Sequence, residues 1–333
     1  MPDDTERVEG KRLGEFEIIA KYFAPLATDT ASLGLRDDAA VLRPIEGQEM
    51  VLSCDTIIEG VHFLKDDPPE SIGHKALAVN LSDLAAMGSH PRWALLACAL
   101  PEADPAWLDA FARGFFALAD AHGVDLVGGD TTRGPLNLCV TVLGEVPAGQ
   151  ALRRSGARPG DEVYVSGRLG DAALAVAHHR GRVALAREEL ERCEAALSRP
   201  TPRVALGERL RGLATAAIDL SDGLVGDLGH IATASRVRAT VEVAAVPRSP
   251  AVDRRLAGAE RTLALECLVA GGDDYELCFT APAAAAAKLR SVSADVGVAL
   301  TRVGAIAPGS DLVILDEQGN ALETAPRAFD HFR

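Results

Sequence analysis

The chain has 333 residues, 48% of them apolar and only 4% aromatic, and a formal net charge of -14. That length suggests two domains with cores built mainly from Ala, Val and Leu. The acidity argues against nucleic acid and membrane as partners, because both are gripped by basic patches; a small anion can still be held through bridging cations. The N-terminal stretch MPDDTERVEGKRLG is too polar for a signal peptide, and no apolar run is long enough to span a bilayer. Cysteines 54, 98, 139, 193, 267 and 278 fall in no metal-like spacing. They read as buried or half-buried free thiols of a cytoplasmic protein.

In chain order, residues 1–12 read as a loose tail and Gly14 to Phe23 as a helix, with Phe16, Ile19, Ala20 and Phe23 at helical spacing. Ala39 to Leu42 and Met50 to Cys54 read as short strands, the second running into Asp55-Thr56. Ser71 is placed to cap a helix whose last turns are NLSDLAAMGSHP, Asn80 to Pro91, closed by Gly88 and stopped before Pro91. On that helix Asp83 shares a face with Asn80 and Met87 among apolar neighbours, where an unpartnered carboxylate would be costly. Either Asp83 is solvated at a cleft edge or something positive meets it.

Trp93 to Leu100 reads as a strand, and Asp104 or Pro105 opens a helix to His122 with Leu108, Phe111, Phe115 and Leu118 on its apolar side. Val124 to Val127 is a strand emptying into the loop GGDTTRG, Gly128 to Gly134, and Leu136 to Val146 is another. The Gly-, Arg- and Pro-rich Pro147 to Gly160 marks a boundary between domains 1–148 and 149–333. Beyond it, Glu162 to Ser166 is a strand, 172–197 a solvated surface helix pair carrying His178-His179, and Arg203 to Leu213 helical. Ala216 to Ile218 is a strand running into DLSDGL, and a helix covers Val225 to Ala234. Val241 to Val246 and Tyr275 to Thr280 are strands, with GGDD before the second; a helix begins near Pro282, and Leu312 to Leu322 resembles a hairpin. The mixed order predicts α/β with mixed sheets in two domains.

One pattern recurs: a short apolar strand ending in a carboxylate among Gly, Ser or Thr, at Asp55, Gly129-Asp130, Asp219 with Asp222, and Asp273-Asp274, with Asp38 and Asp83 beside them. Any one of these is ordinary turn chemistry. Together they are hard oxygen donors of the kind that hold Mg²⁺ against substrate phosphates. No zinc spacing, P-loop, dinucleotide-binding glycine fingerprint or nucleophile elbow is present. A nucleotide held through metal ions and acidic loops is what remains.

Seven stretches, RDDAAVL (36–42), SCDTIIEGVHF (53–63), NLSDLAAMG (80–88), GGDTTRG (128–134), RSGARPGD (154–161), DLSDGL (219–224) and GGDDYEL (271–277), together resemble the thiamine-monophosphate kinases. NLSDLAAMG and DLSDGL alone are similar only to the wider aminoimidazole-ribonucleotide-synthetase-like superfamily. The resemblance implies that superfamily's two-domain fold, an N-terminal domain forming a dimer-spanning sheet or barrel in a homodimer, and a nucleotide in the cleft between domains. It implies phosphorylation of thiamine monophosphate by ATP to thiamine diphosphate with several Mg²⁺ ions, the last step of thiamine diphosphate biosynthesis. By position, Asp38, Ser53, Cys54 (through its carbonyl), Asp55, Asp83, Asp130, Asp219 and Asp222 would bind Mg²⁺. Gly129, Asp130, Arg154 and Ser221 would contact ATP, and His62, Asp273 and Phe329 would line the thiamine phosphate site. Asp83, Asp130 and Asp222 would carry catalysis. Arg36 stands where the family often has Gly, GGDD where GGED is common, and Phe329 where Tyr or Trp is frequent. Without the resemblance, His62 reads as an ordinary half-buried histidine and Arg154 as a surface charge beside a linker. A ligase on a ribonucleotide, or a nucleotide- and Mg²⁺-binding module without turnover, are the competing functional readings.

Overall fold

The computed structural model describes residues 14–322. The first half builds a four-stranded sheet from β1 (Gln48–Ile58), β2 (His90–Leu100), β3 (Asp125–Arg133) and β4 (Asn137–Pro147), in the order β1-β4-β2-β3. Helices α1 (Glu15–Ile18, continued by a π-turn over Ile19–Phe23), α2 (Pro69–Ala86) and α3 (Pro105–His122) accompany it. β2 and β3 are parallel and the other pairs antiparallel. The second half is a six-stranded sheet, β10-β7-β9-β5-β8-β6. Its strands are β5 (Asp161–Ser166), β6 (Ala216–Asp219), β7 (Arg238–Glu242), β8 (Leu277–Pro282), β9 (Leu300–Ala307) and β10 (Leu312–Leu315). Its helices are α4 (Asp171–His179), α5 (Arg187–Ser198), α6 (Val204–Leu210), α7 (Leu224–Ser235), α8 (Pro250–Leu256), α9 (Arg261–Ala270) and α10 (Ala286–Val296). The expected α/β class with mixed sheets is what is seen.

α3 forms where its signals lie. The Asp104 carboxylate accepts from Ala106 N–H at 2.9 Å, Pro105 takes the first turn, and Gly123 closes the helix in the left-handed region. Phe111 and Phe115 are fully buried, with Trp107 stacked on Phe111 at 5.1 Å. α2 is different, being buried almost all round from Ile72 to Ala86, so it shows no amphipathic stripe. It packs against both α3 and β1 in the first half and against β6 and α6 in the second. One apolar cluster therefore runs from Leu77, Leu81 and Leu84 through Leu206 and Leu210 to Phe279. At the α2–α6 crossing a Cβ on Gly207 would lie 2.0 Å from the Ala85 carbonyl oxygen, so only glycine lets the two backbones meet.

Several local expectations are corrected. Ala39 to Leu42 is irregular, and Val41, 68% exposed, bonds through its N–H to the Ala31 carbonyl in a loop contact. Ser71 lies inside α2, whose start is set by Pro69 at its first turn. GGDTTR is the body of β3, because parallel pairing to β2 outweighs its turn chemistry. β7 ends at Glu242, and Val243–Ala245 turns into a 3-10 helix. The 172–197 segment is no solvated pair: α4 buries Ala172, Leu174, Ala175 and Ala177 against the second core. Cys54 is exposed, while four of the six thiols are buried.

Candidate active site

Three polar residues of α2 fasten it to its neighbours, two to β1 and one across to β6 in the second half. Asn80 Oδ1 accepts from the Asp55 N–H at 2.9 Å, fixing β1 at the point where its carboxylate turns toward the helix. Asp83 accepts a short hydrogen bond from the Ser53 hydroxyl, two residues earlier on the same face of β1. Ser82 Oγ donates to Asp219 Oδ2 at 2.8 Å, at the end of β6. NLSDL is thus a wedge: its apolar members fill the core while its polar members collect carboxylates from β1 and β6 around one helix.

The collected charges repel. Burial, then the charges of Asp83 and Asp222, pushes Asp55 up to about 6. Asp83 is raised by burial, against the pull of the Ser53 hydroxyl and the Arg154 guanidinium. Buried Asp219 is driven well above the carboxylate range by burial and then by Asp83. Asp227, in the first turn of α7, is pushed to about 7 by burial and then by Asp222, whose backbone N–H it accepts at 3.1 Å. Arg154 lowers both Asp83 and Asp227 and so belongs to this cluster, although its side chain is exposed. Hard oxygens short of positive charge are the donor chemistry of a divalent cation. Among the described residues, however, no three His, Cys, Asp or Glu side chains converge so as to hold a metal unaided.

Beside the cluster lies a cavity of about 440 Å³. Asp55, His62, Ser221, Asp222, Asp273 and Tyr275 all line it. His62 Nδ1 accepts from Ile58 N–H at 3.1 Å, which orients the ring. Asp273 and Tyr275 both have left-handed backbone, φ 67° and 48°. That strain is held by Asp273 N–H to Ser221 O at 2.9 Å and Tyr275 N–H to Leu220 O at 2.8 Å. α4 forms a wall as well, through Ala173, Val176 and Ala177. Asp274 accepts from Gly170 N–H at 3.0 Å, so the second aspartate of GGDD holds the start of that wall.

Not every expected residue joins this group. The register places Asp55, Val140, Leu96 and Gly129 in one row across the sheet, and Thr56, Cys139, Ala97 and Asp130 in the next. Gly129 is thus three strand spacings from Asp55, roughly 14 Å. By the alternation of the pleat, Asp130 is turned to the other face, where it is exposed. Gly129 also has a structural reason to be glycine: a Cβ there would lie 1.9 Å from the Leu96 carbonyl oxygen. Cys54 faces outward too, its Sγ 3.4 Å from that of Cys139. Asp38 is exposed in the irregular stretch before β1, its N–H on Asp37 Oδ1 at 3.0 Å. Phe329 lies outside the described residues.

AIR synthase related protein, N-terminal domain, matches residues 36–146, and AIR synthase related protein, C-terminal domain, matches 158–317. Thiamine-monophosphate kinase of Salmonella typhimurium is 43% identical over 322 residues, 96% of this chain and 98% of that protein. The chain belongs to the thiamine-monophosphate kinase family. The crystal structure of thiamine-monophosphate kinase from Stenotrophomonas maltophilia K279a is similar at 48% identity and TM-score 0.82, covering 90% of this chain and 94% of that one. AaThiL complexed with AMPPCP and TMP is similar at 28% identity and TM-score 0.75, over 97% of this chain and all of that one.

For a thiamine-monophosphate kinase family member, sequence reasoning missed Lys75, Ser82, Asp227, Tyr275 and the α4 wall. Lys75 is only 3% exposed, and its Nζ donates to His62 O at 2.9 Å and pairs with Asp273 Oδ1 at 2.8 Å. A lysine inside an apolar helix was the available signal. Asp227 had a weaker one, an acidic residue following DLSDGL in a first helical turn.

Proposed function

We propose that this chain transfers the γ-phosphoryl group of ATP to thiamine monophosphate, giving ADP and thiamine diphosphate. Family membership supports the activity. The observation that carries the reading is the carboxylate cluster of half-buried Asp55, Asp83 and Asp222 and buried Asp219, set against the cavity that His62 and Asp273 line.

The acceptor is a phosphate monoester already ionised near neutral pH, so it needs no general base. What it needs is alignment with the donor and relief of repulsion between two anions. Asp83 and Asp222, with Asp55, Asp219, Ser53, Asp38 and the Cys54 carbonyl, are the residues that would hold Mg²⁺. A cation held there would complete its shell with phosphate oxygens and water. Such an ion, when bound, supplies charge neutralisation on the polyphosphate. Arg154 adds positive charge beside Asp83, Ser221 offers its hydroxyl to the nucleotide, and His62 and Asp273 orient the acceptor. The transfer is direct and in-line, with no phospho-enzyme.

Gly129 and Asp130 belong to the nucleotide end of the same site in this reading. Asp130 is on the outer face of the first sheet, the face that also carries exposed Leu52 and Ile58 of β1. A homodimer across that face is the arrangement we propose to bring Gly129 and Asp130 to a shared polyphosphate. Residues 1–148 would then form the nucleotide-, Mg²⁺- and dimer-forming domain and 149–333 the domain completing the cleft, in a cytoplasmic enzyme. Among the described residues no helix is long and apolar enough to cross a membrane.

The test is incubation of purified protein with ATP, Mg²⁺ and thiamine monophosphate, followed by chromatography for thiamine diphosphate. Absence of product with ATP still bound would overturn the reading in favour of a ligase or a module without turnover. A stable labelled protein after incubation with γ-labelled ATP alone would refute direct transfer.

A further inference from the structure

Lys75, Val79 and Asp83 follow one another at four-residue intervals, so they share one face of α2 over about 12 Å. Each meets a different part of the site. Asp83 is in the carboxylate cluster, Val79 lines the cavity, and Lys75 bonds to two residues of the cavity lining, His62 and Asp273. There its Nζ bridges two segments that come from opposite halves of the chain. One is the turn after β1, which closes largely on itself through His62 N–H to Ile58 O at 3.0 Å and Gly60 N–H to Phe63 O at 2.8 Å. The other is the strained loop before β8, with its left-handed Asp273 and Tyr275. Lys75 meets the first through the His62 carbonyl and the second through the Asp273 carboxylate.

We propose that Lys75 is a positioning residue, setting the separation and orientation of His62 and Asp273 across the substrate cavity and locking both, through rigid α2, to the phosphate-handling cluster around Asp83. Three features support the role. The ammonium is almost wholly buried, and a buried charge is retained where its partners are well placed. Its partners lie on irregular segments, which lack the pairing that fixes a strand. It also joins the two halves at the cavity itself, so its removal changes cavity shape before it changes the cores.

The kinetic part of the test rests on the activity proposed above; the exchange part does not. In Lys75→Met, a buried side chain of similar length without the charge, KM for thiamine monophosphate should rise about tenfold or more while KM for ATP stays within about twofold. Amide hydrogen exchange should accelerate in residues 58–63 and 271–275, with α3 and β4 unchanged. Lys75→Met leaves the Asp273 charge behind, so a second variant separates positioning from folding. Lys75→Met with Asp273→Asn should regain melting temperature, because both partners are now neutral, but not the low KM. A folded Lys75→Met protein with unchanged KM and unchanged exchange would overturn the proposal. So would a double variant whose KM recovers along with its melting temperature. If the wild-type chain makes no thiamine diphosphate, the activity reading fails, and exchange at the two segments still decides the role of Lys75.

Discussion

Asp83→Asn should make the cation-free protein more stable while destroying its activity. The substitution keeps shape and an acceptor for the Ser53 hydroxyl and removes one charge from the cluster. Asp55 is pushed from 3.8 to about 6 by burial, then by Asp83 and Asp222, which corresponds to about 3 kcal/mol between its two protonation states. Asp83 is the leading charge behind burial in that shift and in the rise of Asp219, so its removal returns part of this free energy through both groups. The sign follows from the direction of the shifts. Raised carboxylate pKa values mean that stability is highest when the groups are protonated and is lost as pH rises from about 4 through about 6. The gain should therefore be present at pH 7.5 in chelator, amount to about 2 °C or more in melting temperature, and vanish below about pH 4. Turnover should fall by about 10²-fold or more, the usual cost of deleting one electrostatic contact to a transition state. Differential scanning calorimetry at both pH values and the chromatographic assay measure the two effects. A variant that melts lower in chelator at pH 7.5, or keeps turnover within about tenfold of wild type, would refute the account of Asp83.

Three further outcomes are expected. Val176→Phe enlarges a side chain on the α4 wall, and should raise KM for thiamine monophosphate about tenfold with ATP binding unchanged; equal effects on both substrates would mean that the wall does not face the acceptor. Gly207→Ala drives a Cβ against the Ala85 carbonyl oxygen, so it should cost about 1–3 kcal/mol of stability and disturb activity through α2; an unchanged melting temperature would show that the crossing yields freely. The Arg255 guanidinium, with Arg254 beside it, holds Glu189 down to about 2. Its stabilisation is therefore present above about 4.5 and is lost as pH falls toward 2. The melting-temperature gap between wild type and Glu189→Gln should accordingly narrow between pH 6 and pH 3, and a constant gap would contradict the assignment.

How far the sequence could be read depended on whether a signal was local. α3 was legible because its cap, its first-turn proline, its apolar spacing and its closing glycine all lie within the helix. Asp55, Asp83, Asp219 and Asp222 were legible as chemistry because strand ends and small neighbours are local too, and the fold does gather them around α2. Asp130 carried the same local signal and ended elsewhere. Its stretch became an edge strand, and one step of pleat decides whether a residue faces Asp55 or the opposite side of the sheet. That parity is set by pairing with β2, which no property of GGDTTR contains. The 172–197 segment failed for a related reason: an Ala-rich helix bristling with charge at one end reads as surface, yet its small residues are what let it close over a cavity. α2 teaches the most. A helix buried on all sides has no stripe to find, so its polar residues are the remaining signal, and each must be explained by a partner. Asn80 and Asp83 stand together in a motif and are legible there. Lys75 stands alone and is not, although a buried ammonium has fewer innocent explanations than either of them. The reading improves if every charge within an apolar helix is treated as a contact yet to be found, whether or not it belongs to a motif.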